Sequence, residues 1–332
     1  MVNVYPAQGI ETRLVPEASY GVTPPTPVYK RLNGFGVVLG ATVEIETFAP
    51  PGALVPTIPM VNDDYSEGEV SGRVDFNGLA YVLSGLFGPA TITSLAGTPA
   101  ATSWEWVWNG RTPNVPVTYS LMSGFADSAD IATGFLFNTM EISGGREDGF
   151  EISGDGLARA LTAGNTFPVE APVDVPAVPA GAVFGNVYLD PTWAGLGVTQ
   201  LLYCYEMELA IGERMGRIRP INKSKSSDAV VDVADQEHEL TLTLGRNAVA
   251  DAQLAKLRAG TRVFPRVEWE GDVISGANKY LFQVDTCLIY SEVGMPDNVQ
   301  DASTREFTGR IAIDPVSGNA IRCKLINTLT AL

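Results

Sequence analysis

The 332-residue sequence predicts an all-β protein with one short helix in each of two repeats. Three observations carry that reading. Segments rich in Val, Ile, Thr, Tyr and Phe alternate polar and apolar residues with period two, the pattern of half-buried strands. The punctuation between them is dense, with 34 Gly and 22 Pro. The order strand, long loop, strand, helix occurs twice along the chain.

In the first copy, ATVEIETF (41–48) and EVSGRVDF (69–76) read as strands on either side of a long loop at 49–67. NGLAYVLSGLF follows as a short helix, because Leu79, Val82, Leu83 and Leu86 recur at helical spacing. Asn77 is its candidate N-cap and Gly88-Pro89 stops it. Further strands are expected at WEWVW (104–108) and PVTYSLM (116–122), then as a pair in FLFNTMEIS and FEISGDGLARA. The second copy offers YCYEMELAI (203–211), a long loop at 212–236, HELTLTL (238–244) and a helix in RNAVADAQLAKLRAG. VFPRVEWEG (263–271), YLFQVDTCLIYSE and TREFTGRIAID complete it. Two local likenesses support the duplication: Glu44 and Glu46 stand like Glu206 and Glu208, and FLF (135–137) stands like YLF (280–282). Between the copies, 165–185 alternates Pro with small residues, the composition of a stiff, extended linker. The expected organisation is an N-terminal arm (1–34), a first domain (35–164), the linker (165–185) and a second domain (186–332).

Charge narrows the function. The formal net charge is −16, with 22 Lys+Arg against 38 Asp+Glu, and neither half of the chain is a cation. Gripping nucleic acid draws on Lys and Arg neutralising phosphates, so tight DNA binding is disfavoured. Cys204, Cys287 and Cys323 lack metal-ligand spacing and cannot all pair within one chain, which fits buried free thiols in a reducing compartment. No basic-then-apolar leader and no long apolar run are visible, so a soluble product made in a cytoplasm, with no membrane role, is expected.

Catalytic constellations are missing from the sequence pattern. The single histidine, His238, heads an alternating strand with no nucleophile motif beside it and reads as structural. Gly34, Gly36 and Gly40 do not make a phosphate-binding loop. Acidic pairs such as Asp63-Asp64 and Glu147-Asp148 would need a cleft with aromatic walls to act as a glycosidase site. Trp104, Trp106 and Trp108 form a stripe on one side of a strand, which suits core packing, a subunit interface or a carbohydrate surface. No enzyme, metal or cofactor is expected.

The texture of the chain resembles the tail tube (major tail) proteins of siphophages, in the form where the tube domain is duplicated. The phrase ETRLVPEASYG (Glu11 to Gly21) matches the family's E-T-x4-E-x-x-Y-G, EGEVSGRVD (Glu67 to Asp75) follows its E-G-x5-D before a helix with one residue more between Gly68 and Asp75, and IRCKLIN (Ile321 to Asn327) resembles its closing strand. The resemblance covers nearly the whole chain and none of its motifs is catalytic. It implies two tandem β-sandwich or barrel tube domains whose inner sheets join a continuous ring, with a long loop reaching the next ring. It also implies a virion location and a set of partners: further copies of the chain, a tape measure protein in the lumen, and terminator and tip proteins at the ends. DNA would pass without specific binding. If each domain gives four strands, strands about 4.8 Å apart and tilted about 40° make a 24-strand barrel roughly 48 Å across, with a bore near ~38 Å. Six domains, hence three chains, pass a duplex of roughly ~20 Å; a 12-strand ring is too narrow.

Under that implication two groups of residues become candidate sites. The strand face opposite the apolar one carries Glu44, Glu46, Glu69, Ser71, Arg73, Asp75, Glu206, Glu208, Glu239, Thr241 and Thr243, and would line a negative channel. The two long loops carry opposite charge, Asp63, Asp64, Tyr65 and Glu67 in one and Arg214, Arg217, Arg219, Lys223 and Lys225 in the other, and would mediate ring stacking. Two other readings stay open: another phage ring protein, such as a tail terminator or capsid decoration, and a secreted carbohydrate-binding β-sandwich.

Overall fold

The computed structural model describes residues 10–145, 149–181, 185–220, 226–234, 236–299 and 301–332. With 57% of residues in strands and 8% in helices, the protein is predominantly β.

The first elements are β1 (Glu11–Pro16), β2 (Lys30–Leu32), β3 (Phe35–Phe48), β4 (Ile58–Arg73) and helix α1 (Leu79–Phe87). A hairpin of β5 (Thr91–Leu95) and β6 (Ala101–Trp108) precedes β7 (Tyr119–Phe125), β8 (Ser128–Phe137), β9 (Met140–Gly145), β10 (Gly149–Ala158) and β11 (Leu161–Asn165). Then come β12 (Val173–Val175), β13 (Gly185–Asp190), β14 (Gln200–Leu201), β15 (Cys204–Ile211), β16 (Met215–Ile218), β17 (Ala229–Asp232), β18 (His238–Gly245) and α2 (Ala248–Ala259). The chain closes with β19 (Arg262–Ser275), β20 (Asn278–Thr286), β21 (Leu288–Val293), β22 (Asp297–Val299), β23 (Ala302–Ile311) and β24 (Ile321–Asn327).

Three runs of paired strands organise the fold. The central run is β3-β4-β10-β9-β15-β18-β23-β21, antiparallel throughout, with β22 continuing along β23. It crosses from one half of the chain to the other where β9 meets β15, with Ile142 opposite Leu209. Behind it lie β12-β2-β1-β7-β8-β11 and β14-β13-β19-β20-β24-β6-β5. The period-two pattern turns Val37, Val70, Ile142, Ile152, Leu209, Leu240, Leu242 and Phe307 inward, into one core cluster that draws on both halves. Phe135 lies so close over the central run that a Cβ on Gly68 would sit 2.7 Å from its ring, and one on Gly156 2.2 Å. Those two glycines face each other across β4 and β10, so the close approach is built into both strands.

The helices differ in cover. Every residue of α1 is buried, whereas α2 buries only Ala250 and Gln253 fully. Helix α2 starts on Asn247, whose Oδ1 accepts from the N–H groups of Val249 and Ala250, and stops at Gly260 in the left-handed region. Helix α1 departs from expectation. Asn77 does not cap it, and the Asp75 carboxylate accepts from Gly78 N at 2.7 Å instead, leaving the Asn77 amide to donate to Pro176 O.

Two further corrections follow from the strands. The segments expected as loops at 49–67 and 212–236 both contain strands. In the first, β3 and β4 run on as a hairpin arm; in the second, β16 and β17 form a two-stranded arm. Their alternation was hidden because neither face of an arm rests on the core, so nothing selects apolar residues at every second position. The likeness of Glu44 and Glu46 to Glu206 and Glu208 also fails. Glu44 pairs with Asp63 out on the arm, while Glu206 and Glu208 pair with Thr243 and Thr241 inside the central run.

Candidate channel face and hairpin arms

The outer face of the central run is polar and acidic. Register places Glu69 beside Asp155, Ser71 beside Ser153, and Arg73 beside Glu151. Across the junction Glu208 lies between Ser143 and Thr241, and Glu206 pairs with Thr243, which pairs in turn with Glu306. The Thr241 and Thr308 hydroxyls are 3.1 Å apart, and Arg310 reaches Glu237 and Glu239 at 3.1 and 3.6 Å. The carboxylates feel one another. Partial burial, then Glu141, Glu306 and Glu239, push the Glu208 carboxyl above its ordinary range. A cleft of about 840 Å³ opens on this face, walled by Glu69, Glu141, Asp155, Glu213 and Glu239.

Of the channel candidates, Glu69, Ser71, Arg73, Glu206, Glu208, Glu239, Thr241 and Thr243 therefore share one face. Three do not. Glu44 and Glu46 sit on the projecting arm, where Glu46 accepts from Asn62. Asp75 lies beyond the end of β4 and is buried, its carboxyl raised by desolvation and opposed by backbone N–H groups of Val178, Gly78 and Asn77. Sequence reasoning missed Glu141, Glu151, Asp155 and Glu306, although EIS and FEISGD carry the alternation that would have found them.

The two arms meet each other. Asp63, fully buried, accepts from Arg217 Nη1 at 2.7 Å and lies 2.7 Å from Arg219 Nη1, while Arg219 also reaches Glu44 at 3.6 Å. The Arg217 guanidinium stacks 3.3 Å over the Tyr65 ring. The complementary charge expected between the loops is real, yet within one chain it joins arm to arm. Asp64 donates its backbone N–H to the Asp63 side chain, and Glu67 accepts from Thr42. Lys223 and Lys225, like Glu147 and Asp148, lie outside the described residues. Farther out, the first arm exposes Val43, Ile45, Phe48, Leu54, Val55 and Ile58.

Arg214 is not a surface residue. Its side chain is fully buried, 4.5 Å over Trp108 and 5.4 Å from Phe87, donating to Leu86 O and Gln236 Oε1 with Asp232 at 3.6 Å. Burial brings its guanidinium down to about 10, against the pull of Asp232. His238 shares the site, its Nδ1 accepting from Gly212 N and its ring edge-on to Trp108. Burial first, and Arg214 second, hold its pKa down at about 4. Trp104 and Trp106 are also buried, with their indole N–H groups donating to Asn327 and Gly88 O, so these two rings pack the interior, while Trp108 is half-buried beside Arg214 and His238. Among the described residues no cluster of His, Cys, Asp or Glu is arranged to hold a metal, and no helix is long and apolar enough to cross a membrane. All three cysteines are free thiols.

Comparison with known protein families and with curated proteins finds no match for this chain.

Two of the phrases that carried the family resemblance act as brackets. Glu17 accepts from Gly21 N, Thr118 Oγ1, Ser120 Oγ and Gly134 N, pinning the turn after β1 to β7 and β8. Asn327 accepts from the Trp104 indole and donates to Phe76 O, tying β24 to the first half of the chain.

Proposed function

We propose that the chain is a structural subunit of a phage tail tube, three copies closing into a ring that encloses a negatively lined channel for DNA. The observation that carries this reading is the central run and its two ends. Among the described residues β3 pairs on one side only, with β4, and β21 pairs with β23 and only briefly with β19. Order β3-β4-β10-β9 in the first half matches β15-β18-β23-β21 in the second, and outer order β1-β7-β8-β11 matches β13-β19-β20-β24. The halves are therefore read as two tube domains, with β5 and β6 as a hairpin peculiar to the first and 165–185 as the connection.

On that reading the β9–β15 junction is the pattern for the joint between chains. β21 of one copy takes the place of β9, and β3 of the next takes the place of β15. The register carries over, since Leu209 and Val37 correspond through their partners Leu240 and Val70, and Ile142 and Val293 through Ile152 and Phe307. Val37 then faces Val293, and Val38 faces Glu292, as Leu209 faces Ile142 and Ala210 faces Glu141. Closing the ring pairs both exposed edges, which an open sheet would leave as templates for aggregation. Eight strands from each of three chains give 24, the number that leaves a bore near ~38 Å.

The acidic face then becomes the channel wall. Like charge keeps a duplex centred among water and ions, whereas a basic lining would bind it. The apolar outer part of the first arm favours stacked rings over a single ring, because a terminator or decoration has no use for such a surface on every subunit. Tape measure, terminator and tip proteins are the further partners this role requires. Electron micrographs of concentrated purified protein test it: tubes built of three-fold rings are expected, and a monodisperse monomer at all concentrations would reject the reading.

A further inference from the structure

In the first half of the chain an extended segment fills a groove at the start of α1. Residues 173–175 pair parallel with β2, and Val178 and Ala180 continue along the backbone at Val74 and Phe76. The Asn77 amide and the Asp75 carboxylate hold the segment at Pro176 O and Val178 N. Filling the groove buries its walls: Val74, Leu79, Ala80 and the inserted Val175 are each 1% exposed or less.

The matching groove in the second half lies between β14 and the start of α2, since β14 pairs with β13 as β2 pairs with β1. Among the described residues β14 pairs on one side only, so the edge that receives β12 on β2 has no strand on β14. A cavity of about 150 Å³ remains there, lined by Leu201, Leu202, Tyr203, Leu244, Val249 and Ala250. Its rim stays open to water, with Leu202 75% and Tyr203 60% exposed.

We propose that this groove binds residues 2–8 of a second copy of the chain. Three observations choose that occupant. The segment that fills the first groove reads VDVPAVPAG (173–181), and the N-terminus reads VNVYPAQG (2–9), with the same spaced valines ahead of Pro-Ala and a glycine. Each stretch leads into the strand that starts its half, β13 in one case and β1 in the other. Residues 2–8 also carry no charge, matching an apolar groove. If the second half stands to the next chain as the first half stands to the second, the segment entering β1 of that next chain falls on this groove. The inference rests on the ring reading for the identity of the neighbour. Each subunit would thus strap its neighbour behind the sheet joint, adding parallel strand pairing to the contact.

The test mixes two variants, each in a Cys204→Ser background, one carrying Val4→Cys and the other Leu202→Cys. A short bifunctional maleimide should join them into a heterodimer, and Val249→Asp in the groove chain should abolish it. Rings in the micrographs without the heterodimer overturn the strap and leave the ring standing. If no rings form, the ring reading fails and the groove is decided separately. A labelled peptide of residues 1–10 should then bind a chain lacking residues 2–9 and lose binding at least tenfold with Leu202→Asp. No binding above that of a scrambled peptide overturns the proposal.

Discussion

Protonating His238 would put a second positive charge beside Arg214 in a site with little water. Its pKa in the folded protein is about 4, below the ordinary 6.5. The native state therefore binds the proton more weakly than the unfolded chain, and the stability held above pH ~6.5 is lost as pH falls toward about 4. His238→Gln should flatten that part of the stability curve, by on the order of 2–3 kcal/mol at the acid end, measured by urea unfolding at successive pH values. An unchanged curve would mean that the imidazole is not held neutral by its surroundings. Gly156 makes a second residue-scale case. Because an added methyl would meet the Phe135 ring at 2.2 Å, Gly156→Ala should cost about 1–3 kcal/mol, and the pair Gly156→Ala with Phe135→Leu should recover part of it.

Among elements, the two arms are the ones whose position depends on few groups. Asp63 is buried between Arg217 and Arg219, and removing its charge takes the carboxylate from Arg217 and leaves Arg219 only Glu44 at 3.6 Å. Asp63→Asn should release the second arm, seen as faster amide exchange over 215–218 and 229–232 with little change in the central strands. Arg217→Glu should do the same, and a protected second arm in both variants would show that the ion cluster does not hold it. The arms also mark where the sequence stopped being legible. Strands such as HELTLTL were readable because a core on one side imposes period two on the residues, and α1 was readable from the helical spacing of Leu79, Val82, Leu83 and Leu86. At 49–67 and 212–236 no core imposes a period, and the opposite charges expected to join neighbouring rings pair the two arms of one chain. The acidic face was half legible: Glu69, Glu206, Glu208 and Glu239 followed from alternation. Glu44 and Glu46 were misplaced, since alternation gives a face but not how far a strand extends beyond its sheet. Asp75 was misassigned because β4 ends at Arg73 and the Asp75 carboxylate turns inward to accept from the backbone N–H groups of Asn77, Gly78 and Val178, which alternation does not reveal.

For the molecule as a whole, we propose the acidic face as the wall of a channel and the two strand edges as the joints of a ring. Replacing Glu141, Glu208, Glu239 and Glu306 with Lys should permit assembly but slow DNA ejection at low salt, the defect easing as salt screens the attraction. Normal ejection at low salt would remove these residues from the wall. The joint itself can be read directly by cross-linking Val38→Cys with Glu292→Cys in one Cys204→Ser chain, using a short bifunctional maleimide on assembled protein. A ring of three closed through β21 and β3 predicts bands of one, two and three chains on a denaturing gel and none larger. A ladder running past three chains, or the absence of any cross-linked band from assembled tubes, would contradict it.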